Sequence, residues 1–240
     1  MDVIPQSPDH CGNLLLSKLP GSDYQSMRPH LELIETPLHF VLCEPDEPVH
    51  FAYFPLTGAH SIQTTMGNGA KVEAGIVGFE GLSTVDLILD NEFTTETVVC
   101  QIPGTALRMP AEVFRELTAG NTPLRHLCLR YAKAYLTMVS QSLGCNTLHP
   151  LGNRLARWLL QSHDRARQNE FMLTQQYLAA MLGTHRPTVS NNASMLQRAG
   201  IIEYQRGKMH ILDRHRLEGA SCECYWIIRY HFERILGTLF

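Results

Sequence analysis

The segment "LTQQYLAAMLGTHRPTVSNNASMLQRAGII", Leu173 to Ile202, constrains the chain more than any other. Its apolar residues recur at helical spacing, yet Gly183 interrupts the pattern and Pro187 follows four residues later. Thr174 offers a side-chain oxygen to the free amides of a helix start, and Leu178, Met181 and Leu182 give that helix an inner face. Gly183 lets the chain reverse through the left-handed region without a Cβ clash. Pro187 then falls in the first turn of a second helix, where no intrahelical N–H bond is lost. Ala179 is small where the two helices would cross, and Val189 packs back from the second. This spacing predicts a helix-turn-helix.

The second helix divides into two faces. Val189, Ala193 and Leu196 form a buried side, whereas Arg186, Thr188, Ser190, Asn191, Ser194 and Arg198 are polar and lie off it. Side chains of that kind reach base edges and phosphates in a major groove that admits one helix. Asn192 is a local misfit, at a position where such helices usually carry an apolar residue. After Ala199-Gly200, "IIEYQRGKMHIL" predicts two strands about an Arg206-Gly207 turn. The hairpin makes a winged helix, with Arg206 and Lys208 at the wing tip for phosphates. Thr174 and Gln175, at the first helix's N-terminus, are candidate backbone anchors.

Charge agrees with that reading. Residues 1–120 hold 5 Lys/Arg against 16 Asp/Glu, and residues 121–240 hold 15 against 7, so an acidic half is joined to a basic one. A basic half suits a polyanion such as double-stranded DNA. No run approaches the roughly 18 apolar residues of a membrane span, and the first residues lack a basic segment followed by an apolar core. A cytoplasmic protein without a membrane partner is the expectation. The seven cysteines are odd in number and scattered, which reads as free thiol rather than a disulfide framework.

The remaining chain is read more coarsely. Short helical patterns cover Asn13–Lys18 and Asp23–Leu33. Between Thr36 and Met109 the period changes to two, in short runs such as "HFAYFPL", "KVEAGIV" and "TTETVVCQI" separated by turn residues. In "KVEAGIV" Val72, Ala74 and Ile76 fall on one face. A helix follows over Pro110–Leu117, then a long one from Thr122-Pro123 to about Gly144. Its stripe of Leu124, Leu127, Tyr131, Ala134, Tyr135 and Met138 is a candidate dimer seam, though such a stripe more often packs on its own domain. A further amphipathic helix covers Gly152–Ala166, and "RQNEF" reads as a polar link. The fold class expected is α+β: an N-terminal antiparallel β-roll (1–120), a long helix and hinge (121–149), and a winged helix-turn-helix (150–240).

In this order of elements, and in "RLARWLL", "LTQQYLAAMLGTHRPTVS" and "LQRAGIIEYQRGKMHILDR", the chain resembles the Crp/Fnr family of bacterial transcription regulators over nearly its full length. "YFPLTG" and "GFEG" look like a subgroup with a degenerate effector domain. The resemblance implies a homodimer joined through Pro123–Gly144, an inverted-repeat operator and an N-terminal signal that repositions the DNA heads, with RNA polymerase open as a further partner and no catalysis. Arg186 matches a base-contacting arginine of the family. Pro187 and Asn191 stand where the family usually carries an acidic and a basic contact, so a different operator sequence is expected.

Family members hold cyclic nucleotides on a Gly-Glu turn plus an arginine. "VGFEGL" keeps Gly78 and Glu80, but no Lys or Arg lies between Lys71 and Arg108. A phosphate buried without a cation is costly, so cyclic nucleotide is not expected. An iron–sulfur cluster needs four thiolates, and the first 99 residues offer only Cys11 and Cys43. Cys222 and Cys224, read as two residues of one helix, would point to different sides, so no metal is expected. Haem stays open through His39, His50 or His60. The rival reading, a metal-binding cupin-type protein, wants a His-x-His pair, and none occurs. The third reading makes the acidic β region an interaction platform.

Overall fold

The computed structural model describes residues 4–237. Helix α1 (Gly21–Met27) leads into strands β1 (Glu32–Thr36), β2 (Val41–Cys43), β3 (Phe51–Pro55), β4 (Ala59–Thr65), β5 (Lys71–Val77), β6 (Thr97–Ile102) and β7 (Gly104–Pro110). These make two antiparallel sheets, ordered β1-β7-β3 and β2-β6-β4-β5. Helix α2 (Ala111–Thr118) closes this β-roll, and α3 (Pro123–Leu148) runs beside it. There follow α4 (Leu151–Ala166), β8 (Glu170–Met172), α5 (Gln175–Met181), α6 (Arg186–Arg198), β9 (Ile202–Gln205), β10 (Lys208–Ile211), α7 (Arg214–Ala220) and α8 (Cys224–Leu236).

The local signals explain most of these bounds. Thr122 accepts a hydrogen bond from the Arg125 amide and Pro123 occupies the first helical position, so α3 starts there. Its 26 residues span about 39 Å at 1.5 Å each, and it ends at Leu148, beyond the expected Gly144. The helix expected over Asp23–Leu33 is shorter. Pro29 confines the chain to a 3-10 turn after Met27, and Glu32–Thr36 pairs instead with β7, Glu32 opposite Arg108. "RQNEF" is not only a link either, because Glu170–Met172 pairs with β10 and adds a third strand to the wing sheet, β8-β10-β9.

Strand β5 has its more deeply buried face opposite Val72 and Ala74. Glu73, Gly75 and Val77 are all buried, while Val72 and Ala74 are only half-buried. The face of Glu73, Gly75 and Val77 is covered by α3 and α4. A Cβ on Gly75 would stand 2.8 Å from the Tyr135 ring, and one on Gly81 would stand 2.1 Å from Tyr131. Glycine at these positions lets α3 lie directly on the roll. The dimer stripe is therefore turned inward: Leu124, Tyr131, Ala134, Tyr135 and Met138 are buried within the chain and Leu127 packs against the same core. Most of the buried apolar residues form one continuous cluster from the roll through α3 and α4 into the winged helix.

Candidate nucleic-acid interface

Helices α5 and α6 are built as their residues require. Thr174 Oγ1 accepts from the Tyr177 amide at 3.1 Å and caps α5. Gly183 has φ +61°, so the reversal runs through the left-handed region that glycine enters without strain. Ala179, Val189 and Ala193 are buried at the crossing, with Leu196 packed against the same core. Asn192 donates from Nδ2 to the Thr188 carbonyl (2.8 Å), and its Oδ1 lies 3.1 Å from where a Cβ on Gly152 would be. A small amide against a bare glycine backbone accounts for the polar residue there.

The outer face of α6 is open. Arg186, Thr188, Asn191, Ser194 and Arg198 are exposed. Ser190 is half-buried and donates to Gln175 Oε1 at 2.5 Å, which ties α6 to the start of α5 and takes both residues partly out of the exposed set. At the wing, Arg206 (φ +51°) and Gly207 (φ +80°) make the two-residue hairpin turn. Arg206 is exposed, whereas Lys208 pairs with Glu170 at 2.8 Å on the surface. Tyr204 donates to the Leu173 carbonyl (2.7 Å) and fixes the wing to the helix pair. Thr174, Gln175, Gln176, Arg186, Tyr204, Arg206 and Gly207 line an open groove of about 590 Å³ between the N-terminus of α5, the head of α6 and the wing. Amides at a helix start and two guanidiniums facing one groove suit a phosphate backbone.

Behind this surface lies a polar seam that the sequence did not disclose. Arg165 of α4 reaches into the roll, where its Nε donates to Glu80 Oε1 at 2.8 Å and both side chains are almost wholly buried. Glu80 Oε2 accepts the Gly78 amide at 3.1 Å. A Cβ on Gly78 would lie 2.7 Å from Arg165 Cγ, so the arginine occupies the space over the Gly-Glu turn. The cation missing from the Lys71–Arg108 stretch is supplied from the other half of the chain. Nearby, Glu73 accepts from Trp158 Nε1 (2.8 Å) and Ser61 Oγ (2.7 Å). Burial pushes the Glu73 carboxyl up to about 7, against the pull of these two donors and of Arg157 and Arg165. Gln63 donates to the Tyr177 hydroxyl, which lies 3.3 Å from Gln101 Oε1, so α5 also rests on β4 and β6.

The histidines do not converge. His39 and His50 are exposed, while His60 is fully buried with Nδ1 2.7 Å from Ser83 Oγ, and desolvation lowers it to about 3. His39 borders a cleft of about 30 Å³, against the roughly 300 Å³ or more of a small-molecule pocket. Among the described residues, the group of side chains with metal-ligand spacing is Cys145, His149, Cys222 and Cys224. The expectation that Cys222 and Cys224 point apart is thus corrected: Cys222 precedes α8, so the helical offset does not apply.

Comparison with known proteins gives the same architecture. Residues 153–220 match the Crp-like helix-turn-helix domain. FixK2 of Bradyrhizobium japonicum superposes with a TM-score of 0.67 at 14% identity, over 80% of this chain and 98% of that one. A CRP-family transcriptional regulator of Thermus thermophilus gives 0.64 at 16% identity, over 86% and 97%. The c-di-GMP-responsive global regulator CLP of Xanthomonas campestris gives 0.62 at 13%, over 80% and 99%. No curated protein sequence matches the chain. Among the described residues no helix is long and apolar enough to cross a membrane.

Proposed function

We propose that this chain, a transcription regulator of the Crp/Fnr type with a Crp-like DNA-binding domain, acts as a homodimer on an inverted-repeat operator. The observation that carries this reading is the open polar face of α6 beside a basic wing. Arg186, Thr188, Asn191 and Ser194 read base edges; Arg198, Arg206, Lys208, Thr174 and Gln175 hold the backbone, with Ser190 setting the angle between the two helices. Pro187 and Asn191 at two reading positions give an operator of its own sequence.

The dimer seam is reassigned. Leu129, Leu136 and Leu143 recur every seven residues along α3 and are 40%, 50% and 70% exposed. That is the spacing of a coiled-coil seam, and it lies on the side of α3 turned away from the buried Tyr131, Tyr135 and Met138. Helix α3 then joins two chains through its leucines while holding its own roll with its tyrosines.

The Glu80–Arg165 and Glu73–Trp158 contacts give the roll a grip on α4, the first helix of the DNA-binding part. Whatever the roll senses acts by loosening or keeping that grip. Residues 1–120, 121–149 and 150–240 are sensor, dimer helix with hinge, and reader in this scheme. Arg165 seated over Gly78 and Glu80 argues for a roll that works without a cyclic nucleotide in this conformation.

Selection of genomic fragments by the purified protein tests the reading, with Leu136→Glu as the dimer control. Enrichment of a palindrome with half-sites about one helical turn apart, lost together with the dimer in Leu136→Glu, is the expected result. Sequence-blind binding, or an unchanged palindrome from a monomeric variant, overturns it.

A further inference from the structure

The geometry points to a mononuclear zinc site formed by Cys145, His149, Cys222 and Cys224 at the junction of α3, α4 and α8. Cys145 and His149 are one turn apart at the C-terminal end of α3, so they share a face. Cys222 lies in the loop before α8 and Cys224 begins that helix, and the loop sets both sulfurs toward α3. The Cys145 and Cys222 sulfurs are 3.4 Å apart, and Cys224 Sγ is 3.5 Å from His149 Nδ1. All four ligand atoms lie within 4.8 Å of one another. A tetrahedron with zinc–sulfur bonds of 2.3 Å has edges of about 3.8 Å, so closing the four atoms on one ion takes only small movements.

Two further observations point to a ligand. His149 Nε2 is 3.2 Å from Glu223 Oε1, so the carboxylate accepts a hydrogen bond from Nε2–H, which keeps the proton on Nε2 and leaves the Nδ1 lone pair facing the sulfurs. That carboxylate–histidine arrangement is the one that orients metal-bound imidazoles. The three thiols are buried and form a small cluster of their own, apart from the main apolar core. Gln141 Nε2 donates to Cys224 Sγ at 3.1 Å, and Arg157 reaches Ser142, one turn before Cys145 on α3. Binding zinc would release three thiol protons and leave a net charge of −1, which those donors and the buried guanidinium favour. Zinc, rather than a harder cation, fits three thiolates and one imidazole.

Such an ion would fix the last turn of α3 to α8 two residues before α4 begins. It would therefore set the angle at which the dimer helix hands over to the DNA-binding part. The inference stands on this cluster and not on the DNA reading.

Elemental analysis of the purified full-length protein, reduced and gel-filtered, tests it, together with cobalt substitution. About one zinc per chain is expected, and cobalt should give the thiolate charge-transfer band of a tetrahedral site. Cys222→Ser and His149→Ala should bring zinc below about a tenth of that, while Cys128→Ser, a buried thiol outside the cluster, keeps it. His149→Ala alters a partly exposed position, so loss of metal with an unchanged circular dichroism spectrum separates ligation from misfolding. Wild-type protein that takes up no zinc and gives no cobalt–thiolate band overturns the site. So does bound iron with a cluster spectrum, or a Cys145–Cys222 disulfide formed without added oxidant.

Discussion

Two polar regions of this protein commit their side chains in opposite ways. On α6, Arg186, Thr188, Asn191 and Ser194 stand in solvent with few commitments. At the seam between the roll and α4, Arg165, Glu80, Glu73, Ser61 and Gln63 are buried, and each has a partner in the fold. The exposed set costs little to maintain and is free to meet a polyanion. The buried set is held by mutual satisfaction, because a charge out of water is tolerated only with its partner in place. Reading and gripping are therefore separable jobs, and they should respond differently to mutation.

The largest effect should come from splitting the buried ion pair. Glu80→Gln or Arg165→Met leaves one charge unmatched and should lower stability by about 3–5 kcal/mol in thermal or urea unfolding. The double variant Glu80→Leu with Arg165→Met should be milder than either single change. If the single changes cost under about 1 kcal/mol, the seam is no better than a surface contact.

Acidity gives the next test. The Glu73 carboxyl titrates at 4.5 when free and at about 7 in the folded chain. Its contribution is fully present below 4.5, where it is protonated in both states, and is lost as pH rises through about 7. The loss amounts to about 3 kcal/mol. Glu73→Gln should abolish this fall, so wild type and variant should differ in their change of Tm between about pH 5.5 and 8. Parallel profiles would remove Glu73 from the seam's energetics.

On the exposed side, Arg186→Ala should weaken the specific site by about 1–3 kcal/mol and relax preference at one base pair, without changing Tm. Equal weakening on random DNA would move Arg186 from base reading to backbone contact. The smallest effect belongs to Lys208→Ala, which should weaken all DNA alike and reduce the salt slope by about 1. Its surface partner Glu170 makes little difference to stability.

What the sequence disclosed follows the same division. The turn at Gly183, the cap at Thr174, the Arg206-Gly207 hairpin and the start of α3 are decided within a few residues, and all appear where local chemistry puts them. The seam joins residues 85 positions apart, as Arg165 does with Glu80. In the sequence, Arg165 reads as one more cation on an amphipathic helix. A trace existed in Trp158, Ser162 and Arg165 sharing a stripe, but nothing local says that a buried carboxylate awaits them. The cysteine cluster is not legible locally, because Cys145 and Cys222 are 77 positions apart and the helix whose sequence pattern takes in Cys222 starts two residues later. The tyrosine stripe of α3 was legible as a stripe, and only the glycines of the roll show which way it faces.

Arg165 over the Gly-Glu turn also has a consequence for dose. An effector that needs the space beside Glu80 can bind only the fraction of molecules in which the arginine has swung out. Its apparent dissociation constant is the intrinsic one divided by that fraction. Each increment of about 1.4 kcal/mol that favours the seated arginine raises the half-saturating concentration tenfold. For such an effector the ion pair would set a threshold, and exchanging Arg165 for a neutral residue would shift the response to lower effector concentration.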